Sequence, residues 1–396
     1  MQYISVLEVS EKWGVSLRQV QRLLADGRIP HSKKYGRSWM IPDDAEKPLD
    51  PRRERGLSWQ LMSSDIGQVI EATSVPMPSN NPDLIFKLVK DERVRLQYEA
   101  EIAYLRGDFA RVVRCYKKTE GDEASKLRAS LVVVAAVISL GDYQAYTKIE
   151  ANLKSCIKVN TGNDLSIIAD LALASVAVSV VAPNMIPDWL KNGDFSAFPV
   201  QVKPPYLLYL RAKYLLYIGQ YEAALAVAQT TLAFSLREPG ITFSEIYLRV
   251  ICALACHCLE RADEAKCWLL EAMRVALPHG FITPFAEPVS DFGGLVEECL
   301  EQAFPEHYDA VIGQWKRVVK NWITFHNKFA KDNITLILSL REYHLAQLVA
   351  RRVPYVKIAK QYNISVGRLK NIMLEIYEKL FISGRDELAK YVLVLK

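Results

Sequence analysis

Basic and amide side chains gather on a predicted helix, 366–380, near the C-terminus. Its apolar residues recur at helical spacing and predict an inward face consisting of Leu369, Ile376 and Leu380. The outward face begins with Arg368, Lys370, Asn371 and Leu374. Arginine and lysine suit the major-groove edge of guanine, and asparagine suits that of adenine, so this face predicts contact with DNA bases. A solvated basic face is the alternative.

Three nearby lysines are better placed for phosphates, which orient a protein on DNA without specifying its sequence. They are Lys357, Lys360 and Lys379.

A second set of candidate residues lies near the N-terminus. Ser5 and Glu8 match a capping box that starts a short helix, and Gly14 ends that helix. A second helix, 17–26, and two strands around a turn at Gly36 follow. The residues predicted to contact DNA here are Ser16, Arg18, Gln19, Arg22, Lys33, Lys34 and Arg37. Contact with a protein is the alternative.

Charge is unevenly distributed along the 396 residues. Residues 1–56 hold eleven Lys and Arg against eight Asp and Glu, residues 336–396 hold eleven against five, and the middle holds 28 against 32. Two basic ends around an acidic middle indicate nucleic-acid contact at the ends. Hydrophobic residues make up 50% of the chain and charged residues 24%, which excludes wholesale disorder and collagen.

The sequence predicts a cytoplasmic protein. No secretory signal is visible in the first residues. The best apolar run, 171–182, is too short to span a bilayer, so we expect no membrane association. The seven cysteines are unevenly spaced, and we expect them to be free thiols.

No set of residues suits an active site. The phosphate-binding pattern G-x-x-x-x-G-K-[ST], H-E-x-x-H and G-x-S-x-G are all missing, and six histidines are scattered along the chain. Cys252, Cys256, His257 and Cys258 lie on one helical segment, where adjacent residues point in different directions. We therefore expect buried thiols rather than a metal site, no cofactor and no enzymatic activity.

A glycine–aromatic motif recurs in the middle of the chain. It occurs at 107–109, 141–143 and 219–221, with a degenerate copy at 261–265. The first two copies are 34 residues apart, which is the tetratricopeptide period. Glycine turns the chain between antiparallel helices, and the aromatic residue packs into the pair. Small residues predicted to allow close helix approach are Ala103, Ala212 and Ala224.

Several motifs resemble known families. Gly14-Val15-Ser16, Gly27-Arg28-Ile29-Pro30 and Gly36-Arg37-Ser38-Trp39-Met40-Ile41-Pro42 resemble the turns of excisionase/MerR-type winged helix-turn-helix domains. The segment 271–285 is similar to the end of the helical-repeat region of MalT-type regulators, although the phosphate loop of their ATPase module is missing.

The C-terminal 60 or so residues resemble LuxR-type helix-turn-helix modules. Matching residues keep their register without a gap: Leu338, Ser339, Arg341, Glu342, Ile358, Ala359, Ile364, Ser365, Lys370, Ile376, Lys379, Leu380, Ser383 and Arg385. The sequence departs from the family at Arg352, which stands where a helix-ending glycine is usual, and at Pro354-Tyr355, Arg368-Leu369 and Ile372. Some departures fall on the recognition helix, so the resemblance does not imply a particular base preference.

These observations predict a predominantly all-α chain in four parts. They are a winged helix-turn-helix domain with a small β-hairpin at 1–48, a linker at 49–90, a tetratricopeptide-like α-solenoid at 91–330 and a four-helix LuxR-type module at 331–396. The expected function is that of a bacterial transcription regulator that binds double-stranded DNA and is controlled by a ligand, peptide or protein at the helical repeats. The alternative is an interaction scaffold whose helix-turn-helix domains bind proteins. The LuxR-type resemblance implies a homodimer.

Overall fold

The structure is a computed structural model that contains two compact units, Met1–Gln60 and Leu61–Lys396. It describes residues 3–25, 29, 32–36, 38–43, 45, 47, 77–89, 91–160, 164–179, 185–196, 198, 204–235, 240–330, 338, 340–380 and 382–390. Helices predominate and the strands form one small sheet, so the predicted, mainly α fold class is confirmed. Within these ranges, every helix is too short or too polar to cross a membrane.

The smaller unit combines two helices with three antiparallel strands in its described residues. In chain order these are β1 (Tyr3–Ile4), α1 (Val6–Trp13), α2 (Leu17–Ala25), β2 (Lys33–Tyr35) and β3 (Ser38–Pro42). The sheet order is β1-β3-β2, and Ile4 of β1 is paired with Ile41 of β3. The sequence predicted the β2–β3 hairpin but not β1, because two residues are too few to show an alternating pattern.

The predicted capping of α1 is confirmed. The Ser5 hydroxyl accepts from the Glu8 amide at 3.3 Å, and the Ser5 amide donates to the Glu8 carboxylate at 2.7 Å. Gly14 ends the helix with φ +61°, a left-handed conformation that glycine adopts without strain. Buried apolar residues from both helices and the sheet form one core: Val9, Val20, Leu23, Leu24, Ile29 and Ile41.

The larger unit is built from consecutive helices. In chain order they are α3 (Ile85–Leu88), α4 (Glu92–Leu105), α5 (Phe109–Lys118), α6 (Glu123–Leu140), α7 (Tyr143–Val159), α8 (Asp164–Ser179), α9 (Asp188–Asn192), α10 (Pro204–Tyr217), α11 (Tyr221–Ser235), α12 (Phe243–Cys258), α13 (Ala262–Ala276), α14 (Thr283–Ala286), α15 (Leu295–Ala303), α16 (Tyr308–Ala330), α17 (Leu340–Ala350), α18 (Tyr355–Gln361) and α19 (Val366–Leu380). Short 3₁₀ helices lie at Pro82–Leu84, Leu277–His279, Val289–Asp291, Pro305–His307 and Arg385–Lys390.

The repeated motif lies at turns between packed helices, as predicted. Gly107, Gly141 and Gly219 join α4 to α5, α6 to α7 and α10 to α11, with φ of +78°, +72° and +78°. In the degenerate copy, between α12 and α13, Glu260 takes the left-handed conformation at φ +62°. Ala103, Ala212, Ala224 and the aromatic Phe109 are buried, as predicted, whereas the corresponding aromatic residues Tyr143 and Tyr221 are only partly buried.

Helix α16 packs against α6 and α14, and two of its amide side chains contact the glycine turns. Asn321 Nδ2 donates to the Ser139 carbonyl at 2.9 Å, next to Gly141. Gln314 Nε2 donates to Thr283 Oγ1 at 2.9 Å, and its Oε1 occupies the space that a Cβ on Gly107 would need. These glycines therefore both turn the chain and make room for α16.

Residues 77–89, in the last part of the predicted linker 49–90, pack onto the larger unit. Met77 and Ile85 are buried, and Met77 forms a two-way backbone bridge with Ile241. Arg106 makes a bidentate contact with Asp83 at 2.9 and 2.8 Å. Apolar burial and this ion pair fix the segment, and residues 51–76 lie outside the described residues.

The C-terminal helices share an apolar core. Its buried members are Leu338, Tyr343, Leu345, Ala346, Leu348, Val349, Ile358, Ala359, Tyr362, Leu369, Met373, Ile376, Leu380, Ile382 and Leu388. The predicted fourth helix begins at Arg385 and is 3₁₀ over Arg385–Lys390. Glu387 accepts a hydrogen bond from the Ser383 amide at its start, and Leu388 joins the core. In the described part of this region, three α-helices are thus followed by a short 3₁₀ helix at the place of the predicted fourth helix.

Candidate nucleic-acid interface

Helix α19 presents one apolar face to the core and a polar face to solvent. Ser365 precedes it, and its hydroxyl accepts from the Arg368 amide at 3.1 Å. The predicted inward residues Leu369, Ile376 and Leu380 are buried, and so is Met373, which the sequence prediction missed. Met373 follows Leu369 by four residues and continues the same stripe, so helical spacing alone could have identified it.

The predicted base-contacting residues lie on the opposite face. Arg368, Lys370, Asn371 and Leu374 are all exposed at the beginning and middle of α19. Among the described residues, neither Arg368 nor Lys370 takes part in an ion pair. A guanidinium, an ammonium and a carboxamide therefore lie within one turn of helix, and the two cations have no ion-pair partner in the part of the chain that the structure describes.

The three predicted phosphate contacts differ in their surroundings. Lys357 is exposed and has no ion-pair partner within the described ranges. Lys360 pairs with Glu260 at 2.8 Å, and Lys379 pairs with Glu342 at 2.6 Å. The partner of Lys379 lies on α17, which shares the same apolar core, whereas the partner of Lys360 lies in the turn between α12 and α13. An anion approaching Lys360 must therefore compete with a carboxylate.

The C-terminal helices pack directly on the preceding helices of the larger unit. Arg351 donates to the Tyr217 carbonyl at 2.6 Å, and His344 Nδ1 lies 3.0 Å from an Asp291 carboxylate oxygen. A Cβ on Gly293 would approach the Gln361 carbonyl oxygen to 2.7 Å, so only glycine fits there. This close approach was not predicted from the sequence.

Arg352 takes a conformation that explains the usual glycine at its position in the LuxR-type pattern. Its φ is +65°, in the left-handed region, as is that of Asn363 at +50°. Arg352 ends the turn after α17, and its side chain is exposed and contacts Asp386. The chain keeps the turn although it lacks the glycine.

The candidate face of the smaller unit is exposed as well. Ser16 lies at the beginning of α2, where its hydroxyl accepts from the Gln19 amide at 3.3 Å. The other helical candidates, Arg18, Gln19 and Arg22, are exposed, as are Lys33 and Lys34 on β2. Lys33 lies over the Tyr3 ring at 5.6 Å and Lys34 over the Trp39 ring at 5.7 Å. Arg37 lies outside the described residues.

The cysteine-rich segment of α12 belongs to the core. Cys252 and Cys256 are buried, as predicted. Burial raises the pKa of the Cys256 thiol to about 11 and that of Cys258 to about 12, so both stay protonated near neutral pH. The described residues hold no group of three or more His, Cys, Asp or Glu side chains arranged for a metal ion.

Comparison of the chain with protein-family models, curated proteins and solved structures gives no match. The function is therefore inferred from the residues and their geometry.

Proposed function

We propose that this chain is a DNA-binding transcription regulator that contacts DNA bases through α19 of a LuxR-type module. In this proposal, the winged helix-turn-helix unit is a second DNA-binding head, and the helical repeats form a tetratricopeptide-like solenoid that receives a signal. The LuxR-type resemblance adds a homodimer to the proposal.

The observation that carries the proposal is the outward face of α19. Arg368, Lys370 and Asn371 offer the donor and acceptor groups that suit guanine and adenine edges. The opposite face is buried, which fixes the orientation of the helix. Leu374 is 59% exposed on the same surface and suits contact with a thymine methyl group.

The proposal is tested by selecting duplexes that the full chain binds from a random library and measuring their affinity by fluorescence anisotropy. Arg368→Ala and Asn371→Ala are each expected to cost about 1–3 kcal/mol and to relax the preference at one base position.

Lys357→Ala is expected to weaken binding to all duplexes alike and to lower the slope of affinity against salt concentration by about one. Arg114→Ala, which removes an exposed arginine of α5, is the control. Unchanged affinity and preference in both α19 variants contradict the proposal.

A protein-binding scaffold is the second candidate function. It is favoured by two large apolar side chains on the C-terminal helices, Val356 at 68% and Leu374 at 59% exposed. For a scaffold, heparin and duplex DNA should bind weakly, and the Lys357 and Arg368 variants should not change that binding.

A further inference from the structure

A cavity of 160 Å³ lies between the helical repeats and the C-terminal helices of the larger unit. Helices α8, α10, α12, α16 and α17 and the segment 284–291 supply its walls. An apolar cavity of about 150 Å³ in another protein holds a benzene molecule, so this volume suits one ring with a small substituent.

Most of the cavity wall is aromatic or aliphatic. Trp315 and Trp322 line it from α16. Both indole N–H groups are already bound, to Ser290 Oγ at 3.0 Å and Ser139 Oγ at 3.1 Å. The two rings therefore offer apolar surface, which favours an aromatic or aliphatic occupant.

One ammonium group, that of Lys213 on α10, also lines the cavity. Its hydrogen-bond partners are neutral hydroxyls, Ser179 Oγ at 3.1 Å and Tyr209 Oη at 3.4 Å. No carboxylate of the described residues lies within ion-pair distance of it. A cation beside apolar walls without a paired anion favours an anionic occupant.

Two carboxyl groups also line the cavity, those of Glu287 and Asp291, and neither forms an ion pair with Lys213 among the described residues. Glu287 accepts a hydrogen bond from Tyr104 Oη at 2.5 Å. Burial raises the pKa of Glu287, although Lys213 and two tyrosine hydroxyls lower it in part. The Asp291 carboxylate lies 3.0 Å from His344 Nδ1, so both carboxyl groups are engaged by groups other than Lys213.

We propose that this cavity binds a small aromatic monocarboxylate, with its ring between the apolar walls and its carboxylate paired with Lys213. The ring of such a ligand complements the aromatic lining, and its single carboxylate complements the ammonium group of Lys213. A phosphate ester suits the site less, because no arginine lines the cavity and the walls are mostly apolar. A cationic amine is disfavoured by the charge of Lys213.

The bound ligand also changes DNA affinity, because it links the helical repeats to the C-terminal helices. This effect rests on the proposed function. Tyr343, His344 and Gln347 of α17 line the same cavity, so the ligand contacts both regions. It therefore stabilises the packed arrangement in which Glu260 holds Lys360. Because that carboxylate competes with a DNA phosphate, the ligand lowers DNA affinity.

The binding step is tested without DNA, by calorimetry and tryptophan fluorescence on the full chain. Benzoate and phenylacetate are the probes, with phenylacetamide and benzylamine as neutral and cationic counterparts. At least one carboxylate should saturate one site per chain and bind at least about tenfold more tightly than the amide. Equal binding of phenylacetate and phenylacetamide, preference for the amine, or no saturable carboxylate binding overturns the proposal.

Two variants locate the site. Lys213→Met should weaken carboxylate binding about tenfold or more and leave phenylacetamide binding unchanged. Val318→Phe, which places a ring in the cavity, should block carboxylate and amide alike. Lys154→Met, at a surface lysine paired with Glu150, is the control and should bind as the unaltered chain does. A thermal melt of each unliganded variant establishes that it is folded, and a folded Lys213→Met that binds normally refutes the assignment of Lys213.

The coupling is tested separately, by repeating the DNA titration with saturating carboxylate. The dissociation constant for DNA should rise about fivefold or more, and Lys213→Met should abolish the rise. Carboxylate binding with unchanged DNA affinity contradicts the coupling but not the proposed binding site. Carboxylate binding by a chain that binds no DNA contradicts the proposed function alone.

Discussion

At the scale of single residues, Arg352 has a backbone conformation that favours glycine. Its φ of +65° costs about 1–2 kcal/mol, whereas its exposed contact with Asp386 contributes little. Arg352→Gly should raise the free energy of unfolding by about 0.5 kcal/mol, because the relieved strain exceeds the roughly 0.4–1 kcal/mol lost to unfolded-chain freedom. Chemical denaturation measures the change. Arg352→Ala, which removes the same ion pair without relieving the backbone, should be less stable than Arg352→Gly; the opposite order contradicts the prediction.

Glu101, buried on α4, should make stability depend on pH. Burial raises its pKa from 4.5 to about 7, although hydrogen bonding from Gln97 and the charge of Arg128 oppose the rise. The folded state therefore binds a proton that the unfolded state has lost between pH 4.5 and 7. Its contribution to stability should fall as pH rises through this window and stay constant above it.

Denaturation of the unaltered chain and Glu101→Gln at pH 5, 6, 7 and 8 isolates this effect. The difference in unfolding free energy should shift in favour of the glutamine variant up to about pH 7 and then level off. A difference that stays constant from pH 5 to 8 would show that Glu101 has no raised pKa.

At the scale of secondary-structure elements, the packing of α16 leaves no room for a side chain at Gly107. A Cβ on Gly107 would lie 2.0 Å from Gln314 Oε1, whereas one on Gly121 would have nothing within 4 Å. Both glycines have positive φ, +78° and +95°, so alanine strains the backbone at either position. Only Gly107→Ala also displaces the Gln314 amide from its buried bond with Thr283.

Gly107→Ala should therefore cost about 1–3 kcal/mol more than Gly121→Ala in the free energy of unfolding. Denaturant titration of the two variants gives the comparison. Gly107→Ala should cost less unfolding free energy in a Gln314→Ala background than in the unaltered chain, because the side chain that clashes with the new Cβ is gone. Equal effects of the two glycine variants would mean that α16 does not constrain the turn.

Local patterns in the sequence predicted local features of these elements. Glycine, capping residues and helical spacing are set by neighbours within a few positions, so the turns at Gly107 and Gly141, the cap of α1 and the inward face of α19 could be predicted. The contact between Asn321 and Ser139 joins residues 182 positions apart, and no local pattern encodes it. The exposure of the candidate side chains on α19 could be predicted from helical spacing, but the pairing of Lys360 with Glu260 depends on tertiary packing.

At the scale of the whole molecule, the two basic ends belong to different compact units, Met1–Gln60 and Leu61–Lys396. Removal of residues 1–48 should therefore leave the larger unit folded. A tethered second head meets nearby DNA at an effective concentration up to about millimolar if its linker spans the gap. Two DNA-binding heads should accordingly protect a longer stretch of DNA and release more counterions than one.

Footprinting and salt titration of the full chain and the truncated chain test this expectation. The truncation should shorten the protected region and flatten the salt dependence by about 0.9 for each DNA phosphate that the protein no longer neutralises. Arg18→Ala with Arg22→Ala in the full chain should reproduce part of the flattening, since both side chains are exposed on α2 and the fold around them is kept. If footprint and salt slope are the same in all three proteins, the N-terminal unit contacts a protein, because a head that binds DNA electrostatically cannot be removed without changing the number of counterions released.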